Sequence, residues 1–288
     1  MTTTLSALRL GLLRGWIEFR HTLLTPFDLF SYLLNSAIFV VVLLFMDRNE
    51  MEDTQLYGLG LTQATLALPG VLATMLVLGG VMSLAQTMST DREDGTLLRA
   101  RALPRGVQSY LFGKVVSTSL ITVLSMLVIL APAVLLFDGF QFTAQGALTL
   151  LWVTALGLLA TLPVGAVLGS LFPNPRSLVL VLMLLLMGLM LVSGIFVPLT
   201  MLPEWLHWVA QVFPLYWLGL GMRAGLLPDA AVAEEIGGSW RTLETAGVLG
   251  VWAVVGLVVA PIVLRRMARR ESGSILERRR HQAMQRTV

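Results

Sequence analysis

The chain alternates long uncharged apolar runs with short clusters of charge. Uninterrupted runs without Asp, Glu, Lys or Arg cover 29–46, 54–90, 115–137, 139–175, 177–203 and 245–264. Each holds a helix of about 20 residues, enough to cross roughly 30 Å of hydrocarbon. The pattern predicts six spans near 28–47, 62–87, 110–137, 147–171, 177–197 and 243–264. A lipid-facing β-barrel needs polarity that alternates along strands of about 10 residues, whereas "LVLVLMLLLMGLMLV" at 178–192 is apolar on every side. The predicted fold class is an all-α integral membrane protein with six transmembrane helices, the membrane domain covering 28–264.

Two further segments carry helical patterns without being simple spans. Across 5–20, Leu5, Leu8, Leu12, Leu13, Trp16, Ile17 and Phe19 lie broadly opposite Arg14, Glu18 and His21 at spacings of three and four. A soluble core helix has the same period, but this one runs directly into a membrane span. It therefore reads as an N-terminal interfacial amphipathic helix over 1–27. Between the fifth and sixth spans, Pro203 suits a first helical turn and Phe213-Pro214 breaks the helix that follows. Two short external re-entrant helices are expected over about 201–225, with Trp205, Trp208, Phe213, Tyr216 and Trp217 at headgroup level. One irregular seventh span is the alternative, and it would carry the C-terminus to the other side.

Composition supports the membrane reading. Of 288 residues 56% are hydrophobic and 13% charged, against about 25% charged in soluble domains. The net charge is +3, yet eight arginines crowd the basic tail over 265–288. Beside anionic lipid such a tail reads as a solvated cytoplasmic face rather than a nucleic-acid site. Arg9, Arg14, Arg20, Arg92, Arg99, Arg101, Arg105, Lys114, Arg176 and the tail fall on one side of a six-span topology. The excess of basic residues in cytoplasmic loops predicts both termini inside and disfavours the seventh span. The first apolar run starts too late and runs too long for a cleaved signal peptide.

The chemistry-bearing residues are few. With no cysteine and three scattered histidines, no metal site is expected. The spans lack the buried carboxylates and lysines of ion-coupled carriers, so energy for transport would come from elsewhere. No GxxxxGK[ST] phosphate loop occurs, and no cofactor is expected in this chain. Gly165 and Gly169 form a GxxxG element suited to close helix contact, within the chain or with a second copy.

The densest charge in the first two thirds of the chain lies in "STDREDGTLLRARALPRGVQSYLFGK" at 89–114. Ser89 or Thr90 can cap a helix whose first turn carries Asp91, Glu93 and Asp94, with Arg99 and Arg101 toward its negative end. A short cytoplasmic helix over about 89–104 is therefore expected, ending by Pro104. A solvated loop has the same chemistry.

These segments together resemble the membrane subunit of a type-2 ATP-binding cassette exporter, in particular the daunorubicin-resistance type of multidrug permease. The resemblance covers nearly the whole chain: the amphipathic N-terminal helix, six spans, "DREDGTLLRARALP…YLFGK", and "SGIFVPLTMLPEWLHWVAQVFPLYWLGLGMRAGLL" at 193–227. It implies that 89–104 is a coupling helix docking in a separate ATPase subunit. Glu93, Gly95, Thr96 and Leu97 match the family's E-x-G-T-L pattern, with Asp91, Arg92, Asp94 and Arg99 as polar flanks. Asp94 departs from the basic residue usual there. A second cytoplasmic contact through Arg14, Glu18 and Arg20 is also implied.

The implied function is a non-catalytic permease subunit in a bacterial plasma (inner) membrane, moving a drug, lipid or other amphiphile outward. ATP and Mg would be bound by the partner ATPase. A second permease copy, as a homodimer, would complete a path lined by spans one, two and five. Export of polysaccharide or glycolipid, and a non-transporting assembly or regulatory role, stand as alternatives. A membrane enzyme is disfavoured because no span gathers titratable groups.

Overall fold

In the computed structural model the described residues are 2–48, 61–103, 106–137, 139–140, 143–172, 174–195 and 202–270. Among them the fold is all helical: α1 (Thr2–Leu24), α2 (Pro26–Arg48), α3 (Gln63–Val77), α4 (Leu84–Glu93), α5 (Thr96–Arg101), α6 (Gly106–Leu136), α7 (Ala144–Leu171), α8 (Pro175–Val192), α9 (Glu204–Val212), α10 (Pro214–Leu226) and α11 (Thr242–Arg270). A π-helical turn, Leu78–Ser83, joins α3 to α4 without a break. Among the described residues six helices are long and apolar enough to cross a membrane: Pro26–Arg48, Gln63–Glu93, Gly106–Leu136, Ala144–Leu171, Pro175–Val192 and Thr242–Leu264. They coincide with the six predicted spans, although the fifth ends at Val192 rather than 197.

Caps set several boundaries. The hydroxyls of Thr62 and Thr143 accept from the amides of Thr65 and Gly146 at the starts of α3 and α7. Asn174 caps α8 by accepting from the Arg176 amide, and Pro175 occupies the first turn, where its missing donor costs nothing.

The second span forms the core. In its most apolar window 72% of residues are buried, against 11% in α2 and 17% in α8. Those two helices lie at the periphery, with Phe30, Phe45, Leu184 and Met187 exposed. The buried hydroxyls of Thr122 and Thr161 donate to the carbonyls of Thr118 and Gly157 in their own helices. Polar groups are thus satisfied without leaving the apolar interior.

The GxxxG element is used within the chain. A Cβ on Gly165 would stand 2.6 Å from the carbonyl oxygens of Gly80 and Val81, and Gly169 backs onto Ala85 in the same way. Small residues here let α7 meet the second span backbone to backbone.

Two short helices precede the last long apolar helix, and they differ in burial. On α9, Trp205 and Trp208 are exposed. On α10, the run from Leu215 to Met222 is buried, packed among α3, α7 and α11. Tyr216 and Trp217, expected at headgroup level, belong to this core. Hydrophobic composition alone does not separate a lipid-facing piece from one enclosed by neighbours.

Residues 2–24 form α1, in the region where the sequence predicts an interfacial amphipathic helix over 1–27, and Thr25 links it to α2, which starts at Pro26. Its charged face, with Arg14 and Glu18, turns toward α6, while Leu8, Leu12, Leu13, Trp16 and Ile17 remain exposed on other sides. The predicted tail lies outside the described residues beyond Arg270.

Candidate functional site

The expected single helix over 89–104 is two elements meeting at an elbow. The helix of the second span continues through Ser89 and Thr90 to Glu93. Neither hydroxyl acts as an N-cap: Ser89 Oγ donates to the Phe172 carbonyl at 3.5 Å, and Thr90 Oγ1 donates to the Gln86 carbonyl at 3.0 Å. Asp94 then closes α4, its amide donating to the Thr90 carbonyl at 3.0 Å. Gly95 follows with φ 72° and ψ 14°, the left-handed conformation that ends helices and that glycine adopts without a side-chain clash. Thr96 starts the six-residue α5 in a new direction.

This arrangement reverses the expected electrostatics. Asp91, Glu93 and Asp94 lie at the negative end of α4, where carboxylates are unfavourable, rather than in a first turn. Asp91 is compensated from outside its own helix. Its Oδ2 accepts from the Tyr110 hydroxyl at 2.6 Å and lies 3.2 Å from Lys114 Nζ. The same Lys114 nitrogen lies 2.9 Å from Glu18 Oε1 on α1. Ser117 donates to the other Glu18 oxygen at 3.1 Å, and the Arg14 guanidinium stands over the Tyr110 ring at 4.9 Å from its centroid. All three members of the Glu18–Lys114–Asp91 chain are largely shielded from solvent. In that setting a charge deprived of its partner is costly.

Arg92 makes a separate attachment. Only 7% exposed, it donates from Nη1 to the Ser170 carbonyl at 2.6 Å. A cation there satisfies an orphan acceptor and meets the negative end of the α7 dipole.

The eight candidate coupling residues therefore divide by role. Asp91 and Arg92 tie α4 to α6, α1 and α7, and Leu97, 2% exposed, anchors α5 in the core. Asp94 and Arg99 face outward, and Glu93 and Thr96 are half-buried. Arg99 donates to the Thr96 hydroxyl at 3.0 Å, while Glu93 and Asp94 have no ion-pair partner among the described residues. Of the three candidate residues on α1, Arg14 and Glu18 enter the cluster, whereas Arg20 is exposed away from it.

Tyr110, Lys114 and Ser117 were not selected from the sequence. The available signal was that Lys114 is the only lysine in the chain. An ion pair joining helices distant in sequence gives no local spacing to read.

A second polar cluster lies near the opposite ends of the spans. Arg223 on α10 pairs with Glu235 through two nitrogens, one of them at 3.2 Å. Arg241 donates to Gln211 Oε1 at 2.9 Å and stacks over Trp217 at 4.7 Å, and Trp252 donates to the Val212 carbonyl at 2.9 Å. These contacts fasten α9 and α10 to the start of α11.

Among the described residues no group of three or more His, Asp or Glu is arranged to hold a metal ion. The charges of the elbow fasten helices together.

No curated protein matches the chain. The sequence profile described as ABC-2 family transporter protein matches residues 47–261, which contain the second to fifth spans, the elbow and both short helices. With three quarters of its length inside that match, and six helices among the described residues long and apolar enough to cross a membrane, the chain belongs to the ABC-2 family of membrane transporter proteins.

Proposed function

We propose that this chain is the permease subunit of an ATP-driven exporter, moving a drug, lipid or other amphiphile outward while a separate ATPase chain hydrolyses ATP. The carrying observation is the two-sided elbow. One side, through Asp91, Arg92 and Leu97, is fastened to the bundle; the other presents Glu93, Asp94 and Arg99. A push on the outward side is delivered to α1, α6 and α7 through short polar contacts rather than absorbed by a loose loop.

Orientation follows from charge. α1, the elbow and the arginine-rich end of α11 share one end of the bundle, and the excess of basic residues there supports the reading that this end faces the cytoplasm of a bacterial plasma membrane. The peripheral α2 and α8 leave apolar faces for a second copy, the homodimer enclosing the path. Spans poor in charge suit an amphiphile, including the drugs of a multidrug permease, better than a compact ion.

Reconstitution with the cognate ATPase in proteoliposomes tests the reading. ATP-dependent movement of an amphiphilic dye or fluorescent lipid is expected. The pair Asp94→Lys and Arg99→Glu is expected to release the ATPase while leaving the melting temperature of the permease unchanged, because both sites are exposed. Full ATPase retention and coupled hydrolysis in that variant would overturn the docking role. Transport of polysaccharide but no amphiphile would replace the cargo class.

A further inference from the structure

The second span is continuous helix of two kinds: α3 and α4 are α-helical, and the turn between them, Leu78–Ser83, is π-helical. A π turn carries one residue more than the α-helix it interrupts, and helices bend at such turns. Two successive glycines, Gly79 and Gly80, stand in it. After proline, glycine holds a helix least. Neighbouring spans approach the bare backbone: a Cβ on Gly79 would overlap the Thr122 hydroxyl of α6, and one on Gly80 the Thr161 hydroxyl of α7.

The fourth span is weakened at the same depth. Pro163 lacks the amide that would bond to the Leu159 carbonyl, so one rung of α7 is missing. Thr161 and Gly165, on either side of it, are the residues that stand against Gly80 and Val81, which puts the missing rung beside the π turn. On the elbow side of this level the two spans are fastened to each other. Gly169 backs onto Ala85, and Arg92 donates to the Ser170 carbonyl at 2.6 Å. On the far side both are held by α10 instead: α3 packs along it, and Gly157 of α7 backs onto its Leu218.

We propose that the second and fourth spans share a hinge at Leu78–Ser83 and Pro163, about which α4, the elbow and the end of α7 swing as one body against α3, α10 and the rest of α7. α6 passes this depth at Thr122 as unbroken helix and tilts with the moving body through the Asp91–Lys114 pair. The hydroxyls of Thr122 and Thr161 donate to carbonyls of their own helices, so the π turn can shift past them without breaking a bond between spans. The hinge deepens the export reading by naming the body that moves, and it is a property of this chain without its ATPase.

The chain has no cysteine, so spin labels on introduced cysteines report without background. Distance distributions are measured by double electron–electron resonance on the intact permease in lipid nanodiscs, with no ATPase present. Leu243→Cys, at the far end of α11, is paired in turn with Asp94→Cys, Leu171→Cys and Leu135→Cys; all four sites are exposed. The first two pairs cross the hinge and are expected to be about twofold broader than the third, which joins helix ends on the far side. Pro163→Ala restores the missing rung, and deletion of Gly79 turns the π turn into α-helix. Each is expected to narrow both crossing pairs to the width of the third. Deleting Gly79 keeps the flanking helices in register, so the melting temperature should stay close to that of the parent. Deleting Leu72 from α3 rotates one part of the span against the other by about 100° and should abolish folding. Equal widths for all three pairs, no narrowing in Pro163→Ala, or loss of folding on deletion of Gly79 as complete as on deletion of Leu72 would overturn the hinge. Narrowing of only one crossing pair would overturn the single moving body. These widths are read without nucleotide or cargo, so failed transport by the reconstituted complex bears on the export reading alone.

Discussion

Arg92 donates to the main-chain oxygen of Ser170 across 2.6 Å, fastening the end of one span to the end of another 78 positions away. The contact turns a charged residue of an apparently loose patch into a buried clamp.

Replacing Arg92 with Gln is expected to destabilise the protein by about 2 kcal/mol, because a hydrogen bond from a charged donor to a buried carbonyl is lost. Arg92→Lys should restore little of it, since the ammonium lacks the planar reach of the guanidinium. Thermal unfolding in detergent measures both. An unchanged melting temperature for Arg92→Gln would contradict the clamp.

Lys114→Met leaves Asp91 and Glu18 facing each other without their shared cation. A loss of about 2 kcal/mol is expected from the stranded carboxylates. The double variant with Glu18→Gln should lose less than the sum of the singles, with a coupling of about 0.5–3 kcal/mol. Strict additivity would mean that α1 is not tied to α6 through this pair.

At Gly95 the backbone has φ 72°. Gly95→Ala is expected to cost about 1–2 kcal/mol, the penalty for an L side chain in the left-handed region, with Gly95→Asn milder. In the reconstituted complex, ATP hydrolysis should become less responsive to cargo in the Ala variant than in the Asn variant. Equal coupling in both would remove the elbow from force transmission.

Gly165 and Gly188 both lie within spans but differ in surroundings. A Cβ at Gly165 would stand 2.6 Å from two carbonyl oxygens, while one at Gly188 meets nothing within 4 Å. Gly165→Ala should lower stability by about 1–3 kcal/mol through overpacking. Gly188→Ala should be neutral or slightly stabilising, from helix propensity. Comparing the two melting temperatures separates close packing from generic helix effects.

The spans were legible because membrane crossing is a local requirement: about 20 apolar residues must follow one another, whatever they pack against. The break at Phe213-Pro214 was legible because it too is local. Other features were settled by partners far along the chain. Ser89 and Thr90 look like an N-cap until the carbonyls of Phe172 and Gln86 take their hydroxyls. α10 looks like an interfacial piece until α3, α7 and α11 enclose it. Within the motif, the sequence marked the charged residues but not which of them face inward.

The sequence alone determined six runs long and apolar enough to cross a membrane and a charged segment between the second and third of them, since apolar length and charge clustering are properties of neighbouring residues. Only the tertiary structure decided that this segment bends at Gly95, that Arg92 clamps α7, and that Lys114 joins Asp91 to Glu18. Those outcomes depend on which helix ends meet. Buried charge and unsatisfied carbonyls are compensated by whatever group comes within about 3 Å, and distance along the chain does not specify that group.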